Sequence, residues 1–157
     1  MKNVVYTVVF LLYVTQANAD WQYTRWGMTV DEVNEASGKS LTTYRDDSEA
    51  KSNNQSLLIG GYKSDDIHFN TYFRFGKTSK LLETIILKAA PKLCGRVESR
   101  LIQTYGKPFK TDNIDKVLVS HQWFDRANNN KVDFIAHTGR CDVSYEPLPM
   151  PGAKGGL

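Results

Sequence analysis

Five side chains in this sequence could do chemistry at neutral pH: His68, His121, His137, Cys94 and Cys141. Metal binding is the first chemistry to weigh. If the turn at residues 126–130 centres on Asn128, His121 stands opposite Ile135 on a paired strand and His137 is its diagonal neighbour. Asp133 nearby would complete a plausible set of ligand types. However, the sequence has no H-x-x-x-H or H-E-x-x-H spacing, which is how two imidazoles are usually brought to one metal. Isolated histidines are far more often surface or half-buried residues, so no metal ligand is assigned.

Nucleophilic and phosphate chemistry leave no clearer trace. There is no G-x-S-x-G, no Walker pattern and no dinucleotide fingerprint. Gly60-Gly61 falls inside a strand-like run, where glycine marks a bulge or a close backbone approach more often than a phosphate loop. The acids Asp46, Asp47, Glu49, Asp65 and Asp66 sit in polar turns, where carboxylates are ordinarily solvated. No catalytic residue and no cofactor are assigned.

The cysteines are read through the N-terminus. Lys2 precedes an uncharged apolar run over residues 4–14, and Ala17-Asn18-Ala19 supplies small residues at the spacing signal peptidase cuts. Residues 1–19 therefore read as a signal peptide cleaved after Ala19. The alternative is an uncleaved anchor, but the 11-residue run is well short of the ~20 residues a spanning helix needs. The expected location is periplasmic or secreted, an oxidising setting in which two cysteines pair. Cys94 lies beside a helical stripe of Leu93, Val97, Leu101 and Tyr105, and Cys141 alternates with Val143 and Tyr145 on a strand. A Cys94–Cys141 bridge would pin that helix to that strand. Closing a loop of 47 positions is worth about 4 kcal/mol in the chain-entropy model.

The elements that must position these groups follow from local signals. Thr29 with Glu32 forms a capping box before a short helix that ends at Gly38. Residues 45–56 are a polar loop, and 56–62, 67–75 and 81–88 read as strands. Pro91 opens a second helix that stops at Gly106 and Pro108. Strands are expected at 117–125, 131–137 and 140–146, and the Pro- and Gly-rich residues 147–157 are expected to form a disordered tail.

The whole chain has 157 residues, with 20 Lys+Arg against 17 Asp+Glu and 41% hydrophobic residues. This suits one folded domain, residues 20–146, and the small scattered charge argues against nucleic acid as a partner. The segments EVNEASGKSL and RLIQTYGKPF align, as do TYFRFGKTSKLLETIIL and HQWFDRANNNKVDFIAH. The expected fold is α+β: two helix-plus-antiparallel-strand repeats, about 20–90 and 91–146, forming a sheet with helices packed on one face.

Gly27-Met28-Thr29, Val33 and Gly38 resemble the helix motif of the bacterial SmpA/OmlA (BamE) outer-membrane assembly lipoprotein. The second half keeps only Leu101, Gly106 and Pro108 of that pattern. Tandem pairs of such units look like the β-lactamase inhibitor protein fold. The resemblance covers two stretches of about a dozen residues each. It implies a non-enzymatic periplasmic binding module. Unlike the lipoprotein, this chain has no cysteine beside the cleavage site.

With the turn centred on Asn128, Val119, His121, Trp123 and Ile135 share one side of the sheet. An apolar, Trp-bearing open face would suit an envelope or secreted protein partner. The equal alternative is that Trp123 is core and the register differs by one residue, which exchanges the faces. The expected function is a secreted or periplasmic binding or inhibitor-like module. A small hydrolase built from scattered loop residues and an envelope structural protein are the competing readings.

Overall fold

A computed structural model describes residues 20–114 and 117–149. Residues 1–19, on which the expected signal peptide falls, lie outside the described residues, as do residues 150–157 of the expected tail. The elements are α1 (Val30–Ala36), β1 (Thr42–Thr43), β2 (Asn54–Ser64), β3 (Ile67–Gly76), β4 (Leu82–Ala89), α2 (Cys94–Tyr105), β5 (Lys110–Ile114), β6 (Leu118–Asp125), β7 (Asn130–His137) and β8 (Arg140–Pro147). Short 3-10 turns at Asp47–Lys51 and Pro91–Leu93 precede β2 and α2.

All eight strands join one antiparallel sheet in the order β1-β2-β3-β4-β8-β7-β6-β5. This corrects the expected α+β architecture of two helix-plus-strand repeats. The fold is β-rich and dominated by a single sheet. The seam between the halves is an ordinary ladder, with Ile85 opposite Tyr145 and Leu87 opposite Val143. The helices are too short to form a layer of their own, at 7 and 12 residues. Of the buried apolar core they contribute Val33, Val97 and Leu101, while strands supply nearly all the rest. Buried area, and with it most of the hydrophobic stabilisation, therefore belongs to the sheet.

Strict alternation selects the inner face. On β3, Ile67, Phe69, Thr71, Phe73 and Phe75 are buried, while His68, Asn70, Tyr72 and Arg74 point the other way. The ladder carries the inner set across Ile85 and Leu87 of β4, Val143 and Tyr145 of β8, and Val132 and Phe134 of β7. Gly60 belongs here too. A Cβ at this position would collide with the Leu41 side chain, so close packing explains it, and the bulge of β2 falls instead between Ser56 and Leu58.

The helix signals act as the sequence indicates. The Glu32 carboxylate accepts from the Thr29 backbone N–H at 2.8 Å, and the Thr29 hydroxyl oxygen accepts from the Glu32 N–H at 3.3 Å. Gly38 then takes φ +68°, a conformation that favours glycine. Leu93 and Tyr105 of the α2 stripe are half-buried, and Val97 and Leu101 are buried.

Candidate functional site

Cys94 and Cys141 form a disulfide across 47 positions, joining the start of α2 to β8. A structural bridge of this kind fits an extracellular or periplasmic location. Among the described residues, no helix is long and apolar enough to cross a membrane.

The turn between β6 and β7 decides where the four candidate face residues lie. Asp125 pairs with Asn130, so the turn centres between Ala127 and Asn128, with Asn129 at φ 55°. His121 consequently faces Phe134, and Trp123 faces Val132. A displacement of one residue moves side chains to the opposite face. Val119, His121 and Trp123 are on the inner face, where Trp123 is 2% and His121 8% exposed. Ile135 pairs with Ser120 and points outward. The four do not form one open surface.

Trp123 is held as core. Its indole N–H donates to the Gly106 carbonyl at 2.9 Å, clamping the end of α2 to β6. The His121 ring is stacked on Phe134 at 5.9 Å and meets Trp123 edge-on at 5.6 Å. One ring nitrogen, Nδ1, lies 2.9 Å from the Thr111 hydroxyl, and Nε2 lies 2.8 Å from the Glu98 carboxylate. A hydroxyl, an imidazole and a carboxylate in series are the parts of a general-base relay. Here both ring nitrogens are satisfied, and the ring is buried against Phe134 and Trp123. The three residues tie β5 and α2 to β6.

His137 and His68 lie on the outward side of β7 and β3, apart from His121. Among the described residues no group of three or more His, Cys, Asp or Glu side chains could hold a metal ion. The turn acids have structural partners. Asp46 caps the 3-10 turn through the Ser48 N–H at 2.9 Å. Glu49 accepts from the Ser56 N–H and hydroxyl and pairs with Arg74 at 3.2 Å. Asp65 and Asp66 reach Arg100 and Arg96 on α2.

Among the described residues, the outward face of the sheet carries no helix, although the 3-10 turn at Asp47–Lys51 covers it near Ser56 and Arg74 through Glu49. Its half-buried apolar side chains include Tyr72, Ile86, Ile135, Phe124 and Leu118, interleaved with Lys88, Lys131, Asp133 and Gln122. Lys88 sits 4.5 Å from the Tyr72 ring centroid. Lys131 bridges Glu146 at 2.7 Å and Asp133 at 3.2 Å. Burial works against its charge, but those two carboxylates outweigh burial and raise its pKa. One edge of this face stands out. Phe109, Val117 and Ile114, at 72%, 60% and 59%, are the most exposed large hydrophobic residues among those described; Ile114 ends the edge strand β5, and Phe109 and Val117 lie just outside it. Phe109 packs on Phe124 with ring centroids 4.9 Å apart, and Ile114 pairs with Leu118.

Sequence pattern missed this edge because β5, KTDNI, carries four polar residues in five and gives no strand signal. Phe109 beside Pro108, outside any periodic run, was the one clue. No protein-family model, curated protein or solved structure matches the chain at a significant level.

Proposed function

We propose that this protein is a secreted or periplasmic binding module that engages a protein partner through the outward face of its sheet, centred on the β5 edge. The observation that carries the reading is the exposed apolar side chains at both ends of β5, Phe109 packed on Phe124 at one end and Ile114 with Val117 at the other. Solvent-exposed apolar side chains are normal singly. Three along one edge, interspersed with charged and amide groups, have the composition of an interface with polar groups among apolar anchors. Edge strand β5 also leaves one row of backbone N–H and C=O groups unpaired within the sheet, a feature that protein partners use. The resemblance of Gly27-Met28-Thr29, Val33 and Gly38 to the outer-membrane assembly lipoprotein supports an envelope partner.

The test uses the immobilised chain from Asp20 onward as bait in envelope and culture-medium extracts, beside a Phe109→Ser/Phe124→Ser variant. The reading expects a protein retained by the unaltered chain and lost by the variant, with both giving the same far-UV circular dichroism. Equal retention by both baits overturns it.

A further inference from the structure

A cavity of about 400 Å³ opens on the other side of the sheet, beneath α2. We propose that this cavity binds an uncharged small molecule with an aromatic or short aliphatic body and one hydrogen-bonding oxygen, the oxygen lodged among Tyr62, Tyr105 and Tyr145.

The cavity exists because α2 and the N-terminal arm approach the inner face without closing on each other. The disulfide fixes the start of α2, and the Trp123–Gly106 hydrogen bond fixes its end. Trp21 of the arm packs against Tyr62 at 5.4 Å and Tyr145 at 6.0 Å. Between these fixed elements the floor is apolar, formed by side chains such as Phe69, Leu87 and Val143. The volume lies within the range of small-molecule sites, which combine apolar walls with a few convergent polar groups.

The lining includes amide and hydroxyl side chains such as Gln22, Ser64 and Asn130, and three phenols. Tyr105 and Tyr145 hydroxyls are 3.5 Å apart, and the Tyr62 hydroxyl accepts from the Gln22 amide at 3.4 Å. Both contacts sit at the outer limit of hydrogen bonding, so the hydroxyls keep capacity for a better partner. Burial pushes the Tyr145 phenol well above its ordinary pKa, and burial also raises Tyr105. These groups are therefore neutral donors at physiological pH. Of the charged side chains in the lining, Arg100 has an ionic partner, whereas Asp20 and Asp125 accept only from neutral N–H groups. Arg100 pairs with Asp65 at 2.6 Å, Asp20 accepts from the Trp26 N–H at 2.8 Å, and Asp125 accepts from Asn128. The two carboxylates repel an anionic ligand, and the phenols and apolar floor suit an uncharged body, because a charge buried against them loses its hydration.

The experiment titrates the disulfide-bonded protein with 6-propionyl-2-(dimethylamino)naphthalene, an uncharged aromatic ketone whose emission shifts blue when it leaves water. The proposal expects saturable one-to-one binding. Thr104→Trp places an indole at the exposed side of the cavity, on a helix position with no core contact of its own, and should abolish binding. Tyr105→Phe and Tyr145→Phe should each weaken it by roughly threefold to tenfold, the worth of one hydrogen bond. The Phe109→Ser/Phe124→Ser variant should bind the dye unchanged, because those residues lie on the opposite face. Absence of saturable binding overturns the proposal, and so does binding that survives both Thr104→Trp and the tyrosine substitutions. Anilinonaphthalene sulfonate, a charged dye of similar size, should bind at least tenfold more weakly than the ketone. Equal or tighter binding also overturns the proposal.

Discussion

Replacing Trp123 with alanine tests the register of β6 against β7 and the assignment of the inner face together. The indole is 2% exposed, so nearly all its surface is removed from water. Truncating a buried tryptophan to alanine costs about 3–5 kcal/mol through lost transfer energy and the residual cavity. The Gly106 carbonyl also loses its indole donor, a further cost of about 1 kcal/mol unless water replaces it. Edge contacts to His121 and Tyr105 go as well. The total, about 4–6 kcal/mol, is comparable to the whole stability of many domains of this size. Urea unfolding followed by far-UV circular dichroism should find Trp123→Ala unfolded or close to its midpoint without denaturant. Trp123→Phe keeps most of the apolar volume and should lose only about 1–2 kcal/mol. If Trp123→Ala stays folded and loses less than about 1 kcal/mol, Trp123 is not core and the β6–β7 register described above is wrong.

Other outcomes follow from the same geometry. Phe134→Asp should prevent folding, whereas Ile135→Asp should cost less than about 1.5 kcal/mol; comparable losses in thermal melts would show that the two residues do not face opposite sides. Reducing the Cys94–Cys141 bridge, or replacing both cysteines with serine, should lower stability by about 4 kcal/mol for a loop of 47 positions, measured by urea unfolding as a lower midpoint with a somewhat steeper slope, since the uncrosslinked denatured chain exposes more surface. The Thr29 backbone N–H and hydroxyl hold the Glu32 carboxyl below its ordinary pKa. A depressed carboxyl contributes stability above its unfolded pKa and loses it as pH falls through the folded value. Glu32→Gln should thus flatten the acid limb of a stability–pH profile below about pH 5, and an unchanged limb would contradict the capping role.

Burial in the cavity makes an opposite, alkaline prediction. Because Tyr145 titrates well above its ordinary value when folded, its neutral form stabilises the fold fully at pH below ~10. That contribution is lost as pH rises through the folded pKa. Spectrophotometric titration should show a late phenol that disappears in Tyr145→Phe. A folded protein whose phenols all ionise near pH 10 would place Tyr145 in solvent.

The sequence by itself determined whatever one element can decide alone. Thr29, Glu32 and Gly38 bound a helix through interactions within about ten residues. Alternation over β3 marks Phe69, Phe73 and Phe75 as core, and the spacing of Val97 and Leu101 marks the inner side of α2. The disulfide was legible because the apparent export signal turned two unremarkable cysteines into a pair. Tertiary structure decided how the strands combine. Two similar-looking halves suggested two units, yet β4 hydrogen-bonds directly to β8 and produces one sheet, because a shared ladder buries both inner faces in a single core. It also decided the face of Trp123. Val119, His121, Trp123 and Ile135 can be drawn on one side only if the turn centres on Asn128, and a half-residue displacement of that centre sends Ile135 outward. A pattern of period two cannot detect such a displacement, since each strand looks equally regular in either register. The exposed β5 edge was invisible because KTDNI carries no strand pattern, and the cavity under α2 because it is made by segments far apart in the chain, held in place by the arm, the disulfide and the Trp123–Gly106 hydrogen bond.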